Sequence, residues 1–378
     1  MLKYPRKLLW LSCQWTMTNR IPHLYLHIPF CSSICHYCDF CHVVYDRKLA
    51  LDYLEKIKAE LAEYDGNAFD TIYIGGGTPT ALDHDLFACL LDLIKPFADS
   101  ANEITIEANP ENIDDEKIDM IVGSGINRIS LGLQSINNEL LKLMNRKHQA
   151  FDVANTVHKL KQKGLGNISI DLMYSLPKQT MEMLKESLEF VVGLDVPHIS
   201  IYSLTIEENS VFGKLGYQSL DEDMEADMYE YIISYLQNEG YDHYETSNFA
   251  RNGHYSLHNI GYWDYDDFLG IGAGAASKIK SHRYCNTRNI RKYIAEEKAY
   301  DEELTLSVED QEFENIMMSL RMKRGLDLKL FYERYNCNFL EKYKEEIAID
   351  DLLACRDGHL FCTNGNILNE VLLRFIKD

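Results

Sequence analysis

Six short runs of β-forming residues, each followed by a stretch with helical spacing, constrain this chain more than any other feature. They cover residues 24–28, 71–74, 103–107, 128–133, 167–171 and 198–203. Most are rich in Ile, Leu and Tyr, as strands buried in a parallel sheet tend to be. Segments between them, such as 52–64 and 85–97, place apolar residues along one helical face. Strands that alternate with helices predict a parallel α/β fold. Six units rather than eight predict a partial TIM-like (β/α)6 barrel.

Active sites of such barrels sit at the C-terminal ends of the strands. The unusual residues of this chain fall there. The first run leads into Cys31, Cys35 and Cys38, and the second into Gly75-Gly76-Gly77-Thr78-Pro79-Thr80. The third ends at Glu107-Ala108-Asn109-Pro110, the fourth at Gln134, the fifth at Asp171, and the sixth at Ser203 to Glu207.

Past residue 208 the pattern changes. Residues 222–239 read as one amphipathic helix, 241–276 as an irregular stretch rich in aromatics and His, and 309–324 as a helix with Ser307 at its N-cap. Short helices and a hairpin-like piece at 359–363 follow. The chain divides into a core barrel over 17–240, an aromatic and histidine-rich junction over 241–300, and a small, mostly helical, winged-helix-like domain over 301–378. Its 378 residues and 46% hydrophobic content suffice for those cores. Residues 1–16 read as a non-native or disordered extension, with Met17 the natural start; they lack the apolar core and cleavage site of a signal peptide.

Cys31, Cys35 and Cys38 form a C-x3-C-x2-C pattern. Three thiolates so close can hold three irons of a cubane cluster and leave one iron open to a small molecule. With Cys41 as a fourth ligand the same residues could be a zinc site, and free cysteines are also common core residues. Ten cysteines at irregular spacing read as a reducing, cytoplasmic pattern rather than a disulfide framework. A net charge of −21 repels phosphate backbones and argues against nucleic acid as a partner. No apolar run reaches membrane-spanning length.

The segment Tyr25-x-His27-Ile28-Pro29-Phe30-Cys31 with its three cysteines resembles the radical S-adenosylmethionine (SAM) superfamily. Together with the Gly-Gly-Gly-Thr-Pro-Thr turn, Arg128-Ile129-Ser130-Leu131-Gly132-Leu133-Gln134-Ser135 and Asp171-Leu172-Met173-Tyr174-Ser175-Leu176-Pro177, it resembles the oxygen-independent coproporphyrinogen III oxidase family from about Tyr25 to the C-terminus. Tyr241 to Phe249 and His258-Asn259-Ile260-Gly261-Tyr262-Trp263 are similar to its heme chaperone branch. The resemblance implies a [4Fe–4S] cluster on Cys31, Cys35 and Cys38. It implies SAM on the open iron, contacted by Tyr25, Gly76, Gly77, Thr78 and Glu107, and a HemN-like C-terminal domain. Tyr37, Gln134, Arg146 and Asp171 match positions that bind a second SAM in the oxidase. On their chemistry alone, Asp171 could equally cap a helix and Arg146 could be a solvated charge.

Two departures separate this chain from the oxidase pattern. The oxidase carries a further Cys two residues after the third, where this chain has Phe40, with Cys41 one residue later. It also carries a longer arm ahead of its Tyr-x-His-Ile-Pro. Both favour the chaperone branch over decarboxylation of coproporphyrinogen, while a radical-SAM enzyme acting on another tetrapyrrole stays open. The branch implies heme and acceptor hemoproteins as partners, with transient contact with membrane proteins and homodimer formation. Heme contact is expected at His258, Asn259, Tyr262 and Trp263, because imidazole is a usual axial ligand and Tyr and Trp offer flat apolar faces. A structural His among core aromatics is the alternative. Glu314 and Arg321 read as structural.

Overall fold

The computed structural model describes residues 20–365 and 368–376. The extension expected over residues 1–16, and Met17, lie outside the described residues. Strands β1 (His23–Ile28), β2 (Thr71–Gly76), β3 (Glu103–Ala108), β4 (Arg128–Gln134), β5 (Ile168–Tyr174) and β6 (His198–Ser203) lie side by side in chain order, each parallel to the next. Helices α1 (Arg47–Ala62), α2 (His84–Ala98), α3 (Asp115–Gly123), α4 (Ala150–Gln162) and α5 (Met181–Gly193) occupy the connections. Strand order that follows chain order is the winding of a barrel; a doubly wound sheet would reverse direction at its middle.

Residues on alternate positions of a strand face opposite sides of the sheet, and here the two sides have different chemistry. Leu24, Leu26, Ile72, Ile74, Ile104, Ile106, Ile129, Leu131, Ile168, Ile170, Ile199 and Ile201 belong to one buried apolar core together with residues of the helices, among them Ile57, Leu90 and Val157. The intervening positions carry His23, Tyr25, His27, Thr71, Tyr73, Glu103, Thr105, Glu107, Arg128, Ser130, Ser169, Asp171, His198, Ser200 and Tyr202. The barrel interior is therefore lined with hydrogen-bonding and aromatic groups, while the hydrophobic effect fixes its outer wall.

The segment expected to be irregular, 241–276, and the rest of the junction to 300 carry strands. Strands β7 (Asp242–Glu245) and β8 (Asn248–Ala250) extend the sheet antiparallel beyond β6. Strand β9 (Phe268–Ile271) pairs parallel with β1, and β10 (Ala276–Ile279), β11 (His282–Asn286) and β12 (Tyr300–Thr305) continue antiparallel from it. The twelve strands run β12-β11-β10-β9-β1-β2-β3-β4-β5-β6-β8-β7.

Helix α6 (Glu222–Asn238), expected over 222–239, is capped by Asp221, and α7 (Leu257–Trp263) by Ser256. Helix α8 (Val308–Ser319) begins at Ser307 in a capping box with Asp310. It opens the C-terminal part, which has its own core around Ile316, Phe331, Phe339, Leu360 and Val371. A small sheet of Leu326–Asp327, His359–Cys362 and Leu353–Arg356 completes it.

Candidate functional site

The loop after β1 starts with a two-residue strand, Phe30–Cys31, paired with Val43–Val44. This pairing anchors both ends of the cysteine loop. Cys31 is buried, Cys35 and Cys38 half-buried, and all three are free thiols. Burial pushes the Cys31 thiol up to about 12, opposed by the hydroxyl of Thr78 at 3.9 Å, with the other two sulfurs adding to the rise. Burial likewise pushes Cys38 up to about 11. Arg146 Nη1 donates to Cys35 Sγ at 3.7 Å and its charge also reaches Cys31, so a cation stands beside the thiol group. Iron bound there would displace the thiol protons and hold the sulfurs as thiolates despite their burial.

Cys41 does not join them. Its sulfur donates to the carbonyl of Arg288 at 3.3 Å, and its electrostatic neighbours are Arg288, Cys285 and Asp301. Among the described residues no three His, Cys, Asp or Glu side chains stand close enough to hold a single metal ion. A four-cysteine zinc site is thus not what the fold assembles. Three mutually neighbouring sulfurs beside one guanidinium fit a larger iron–sulfur group.

The triple-glycine turn after β2 lies directly on this loop. Gly77 N–H donates to the Ile28 carbonyl at 2.9 Å and Thr78 N–H to that of Phe30 at 2.8 Å. Gly76 has φ +116°, and a side chain there would meet the His27 ring at 2.6 Å. Beside it, Glu107 accepts from Tyr73 at 2.9 Å and from Gly76 N–H at 3.0 Å. Burial pushes the Glu107 carboxyl up to about 7; nearby Asp171 adds to this and the two hydrogen bonds oppose it. A carboxylate so placed can accept two hydroxyls of a sugar.

Arg146 is the hub of the next layer. Its Nη2 donates to Asn109 Oδ1 and to the Gly132 carbonyl, both at 2.8 Å, and Asn109 donates to Thr78 at 2.9 Å. The guanidinium thereby ties the ends of β3 and β4 to both loops. Gln134 is buried with φ +60°, and among the described residues its Oε1, like Arg146 Nε, has no hydrogen-bond partner. Asp171 accepts from Ser130 at 2.8 Å; burial pushes it up to about 6, with the hydroxyls of Ser130 and Ser200 opposing. Burial raises the Tyr37 phenol, which stands beside Cys35 and Arg146. Tyr25 bonds His27 at 3.0 Å and stacks on Tyr73.

Next to Tyr25 and Tyr73 opens a cavity of about 460 Å³. Its wall includes Tyr202, Tyr262, Tyr265, Phe268, Asn259 and His258, with Lys278 and Arg283 also on it. A larger cavity of about 630 Å³, bordered by Asn127, Asn167 and Pro197, opens at the opposite ends of the strands, away from the thiols. Helix α7 is fixed on the barrel by Glu103, which accepts the backbone N–H groups of Leu257 and His258 at 2.9 and 3.1 Å.

His258 is buried, and both its ring nitrogens are engaged: Nδ1 with Thr71 at 2.7 Å and Nε2 with Tyr262 at 2.8 Å. Burial holds its pKa well below the usual imidazole range. In this arrangement neither nitrogen is open to an iron, against the axial role expected of it. Trp263 is also set apart from the expected group. It is absent from the cavity wall and packs with Tyr244, Ala250 and Met322, under the guanidinium of Arg321.

The fold brings the expected cysteine, glycine-turn, Glu107, Gln134, Arg146 and Asp171 residues to one rim. Sequence reading missed Tyr73, Asn109, Thr71, Glu103 and Tyr202. Their signal was the alternation of polar with apolar residues inside the six strands, and, for Asn109, its place in the strand-end tetrapeptide.

The Radical SAM superfamily profile matches residues 25–191, and the HemN C-terminal domain profile residues 306–364. The chain is 40% identical over 368 residues to the heme chaperone HemW of Lactococcus lactis, spanning 94% of this chain and 97% of that one. It is 36% identical over 375 residues to heme chaperone HemW of Bacillus subtilis (94% and 99%) and 34% identical over 372 to that of Escherichia coli (94% and 98%). The structure is similar to that of coproporphyrinogen III oxidase (HemN) from Escherichia coli, with a TM-score of 0.82 over 95% of this chain and 91% of that one, at 23% identity. At that identity the likeness is one of fold.

Proposed function

Because this chain belongs to the heme chaperone HemW family, we propose that it binds heme and delivers it to acceptor hemoproteins. Relatedness that runs the length of the chain, from the thiol loop to the last helices, carries this reading. In it, Cys31, Cys35 and Cys38 hold a [4Fe–4S] cluster. Tyr25, Gly76, Gly77, Thr78 and Glu107 bind SAM, and Tyr37, Gln134, Arg146 and Asp171 take the place of the second SAM site. Cluster and SAM together supply one-electron chemistry; the chain's own residues bind, orient and shield. The aromatic cavity beside Tyr25 and Tyr73 supports heme binding, since stacked rings offer flat apolar faces to a macrocycle. We place the protein in the cytoplasm, where an oxygen-sensitive cluster survives. Homodimers and transient contact with membrane-bound hemoproteins belong to the same proposal.

Phe40 in place of the oxidase's extra cysteine, and the turn of Cys41 toward Arg288, weigh against coproporphyrinogen decarboxylation. The test is an anaerobic run of the cluster-reconstituted protein with SAM, a reductant and coproporphyrinogen III. The substrate should be recovered intact while hemin titrated into the same protein binds saturably. Formation of protoporphyrinogen would overturn the reading.

A further inference from the structure

We propose that the phenol oxygen of Tyr262, rather than the imidazole of His258, is the chain's ligand to heme iron. This rests on the heme-binding reading above and names the ligand within it. Five groups form one hydrogen-bonded chain: Tyr262 to His258 Nε2 at 2.8 Å, His258 Nδ1 to Thr71 at 2.7 Å, Thr71 to His23 Nδ1 at 2.8 Å, and His23 Nε2 to Asp266 at 3.5 Å. An ionised carboxylate only accepts, and Asp266 is ion-paired with Arg334 at 3.1 Å. With a single ring proton on His23, carried by Nε2, the direction of every bond follows. His23 donates to Asp266, Thr71 to His23, His258 to Thr71, and Tyr262 to His258. His258 thus spends one nitrogen as donor and one as acceptor. Tyr262 gives away its proton and keeps oxygen lone pairs for the cavity whose wall it forms.

Tyrosinate is an established axial ligand to heme. Coordination forms the iron–oxygen bond as the O–H bond breaks, and the proton goes to His258 Nε2 along the bond already in place. Three of the four other cavity phenols are less suited. Tyr73 and Tyr265 donate to the carboxylates of Glu107 and Glu314, which also accept from Gly76 N–H and from Arg283, so taking up a phenol proton would weaken those bonds. Tyr25 reaches His27, but the other nitrogen of that ring ends on the neutral carbonyl of Cys41 at 2.7 Å. Beside these three, Tyr262 alone bonds an imidazole whose hydrogen-bonded chain ends on a carboxylate. His258 is then a positioning residue.

The experiment is ferric heme titration of the full-length protein, followed by absorbance and resonance Raman spectroscopy. Wild type should show phenolate-to-iron charge transfer. Tyr262→Phe should lose it and bind ferric heme about tenfold more weakly or worse, whereas Tyr332→Phe, at an exposed phenol outside the cavity, should keep it. Tyr262→His should replace it with an imidazole-type spectrum, which guards against a folding defect in the Phe variant. A Tyr262→Phe protein with the wild-type spectrum and affinity, or a wild-type spectrum of imidazole or thiolate ligation, would overturn the assignment and leave heme binding standing. A wild type that binds no heme would overturn the underlying reading as well.

Discussion

Gly77→Ala tests whether the glycine turn and the cysteine loop act as one unit. A methyl on Gly77 would lie 2.8 Å from the carbonyl carbon of Pro29, 2.9 Å from the Phe30 oxygen and 3.0 Å from Cys31 Sγ. Comfortable contact to carbon is about 3.5–4.0 Å, so the turn must retreat by roughly 0.5–1 Å. Two of the three obstacles are backbone, held by the Gly77–Ile28 and Thr78–Phe30 hydrogen bonds, so they cannot rotate away as a side chain would. Overpacking of this kind costs about 1–3 kcal/mol. The third obstacle is a proposed cluster ligand, so the same push displaces Cys31. Urea unfolding should show the loss of stability, and iron and sulfide after anaerobic reconstitution should fall below wild type. As a control, Gly193→Ala, at the last residue of α5 with nothing within 4 Å, should be neutral or stabilising by up to about 1 kcal/mol. Full iron content together with unchanged SAM affinity in Gly77→Ala would refute the coupling.

Cys38→Ala should lose the cluster, whereas Cys41→Ser should retain wild-type iron, as iron analysis of both variants will report. Lys117 Nζ donates to the carbonyls of Thr80 at 2.7 Å and Asn112 at 3.2 Å. Lys117→Met leaves both short of a donor, costing about 1–3 kcal/mol, and should weaken SAM binding by calorimetry with iron content unchanged. Glu107 and Asp171 are pushed up to about 7 and about 6 from ordinary values of 4.5 and 3.8. The native metal-free chain therefore keeps protons that the unfolded chain releases, and stability falls as pH rises from about 4 to about 7, by up to about 1.4 kcal/mol per pH unit for each group. Glu107→Gln should flatten that slope in urea unfolding; an unchanged slope would show that Glu107 is not its source.

The six barrel strands were legible because each carries a run of Ile, Leu or Tyr long enough to announce a buried strand, and the structure places them within a few residues of the expected ends. The strands of 241–300 were not. Asp242–Glu245 and Asn248–Ala250 have four and three residues, too few to show a period. Strand β9 finds its partner β1 about 245 residues away in sequence, a pairing no local pattern encodes. At the site, the cysteines and the glycine turn stood out by composition. The placing of Cys41 on Arg288, and the use of both His258 nitrogens, depend on neighbours from the loop after β11 and from β2 and α7, and became visible only once those elements were in place.

Heme transfer tests the central claim most directly. The reconstituted protein, loaded with heme and separated from excess, is mixed anaerobically with an apo-hemoprotein, and the acceptor's own absorbance spectrum is followed. Heme should leave this chain and appear in the acceptor faster than free heme released from a nonspecific carrier does. Heme that stays bound, or that reaches the acceptor no faster than from the carrier, would contradict a chaperone.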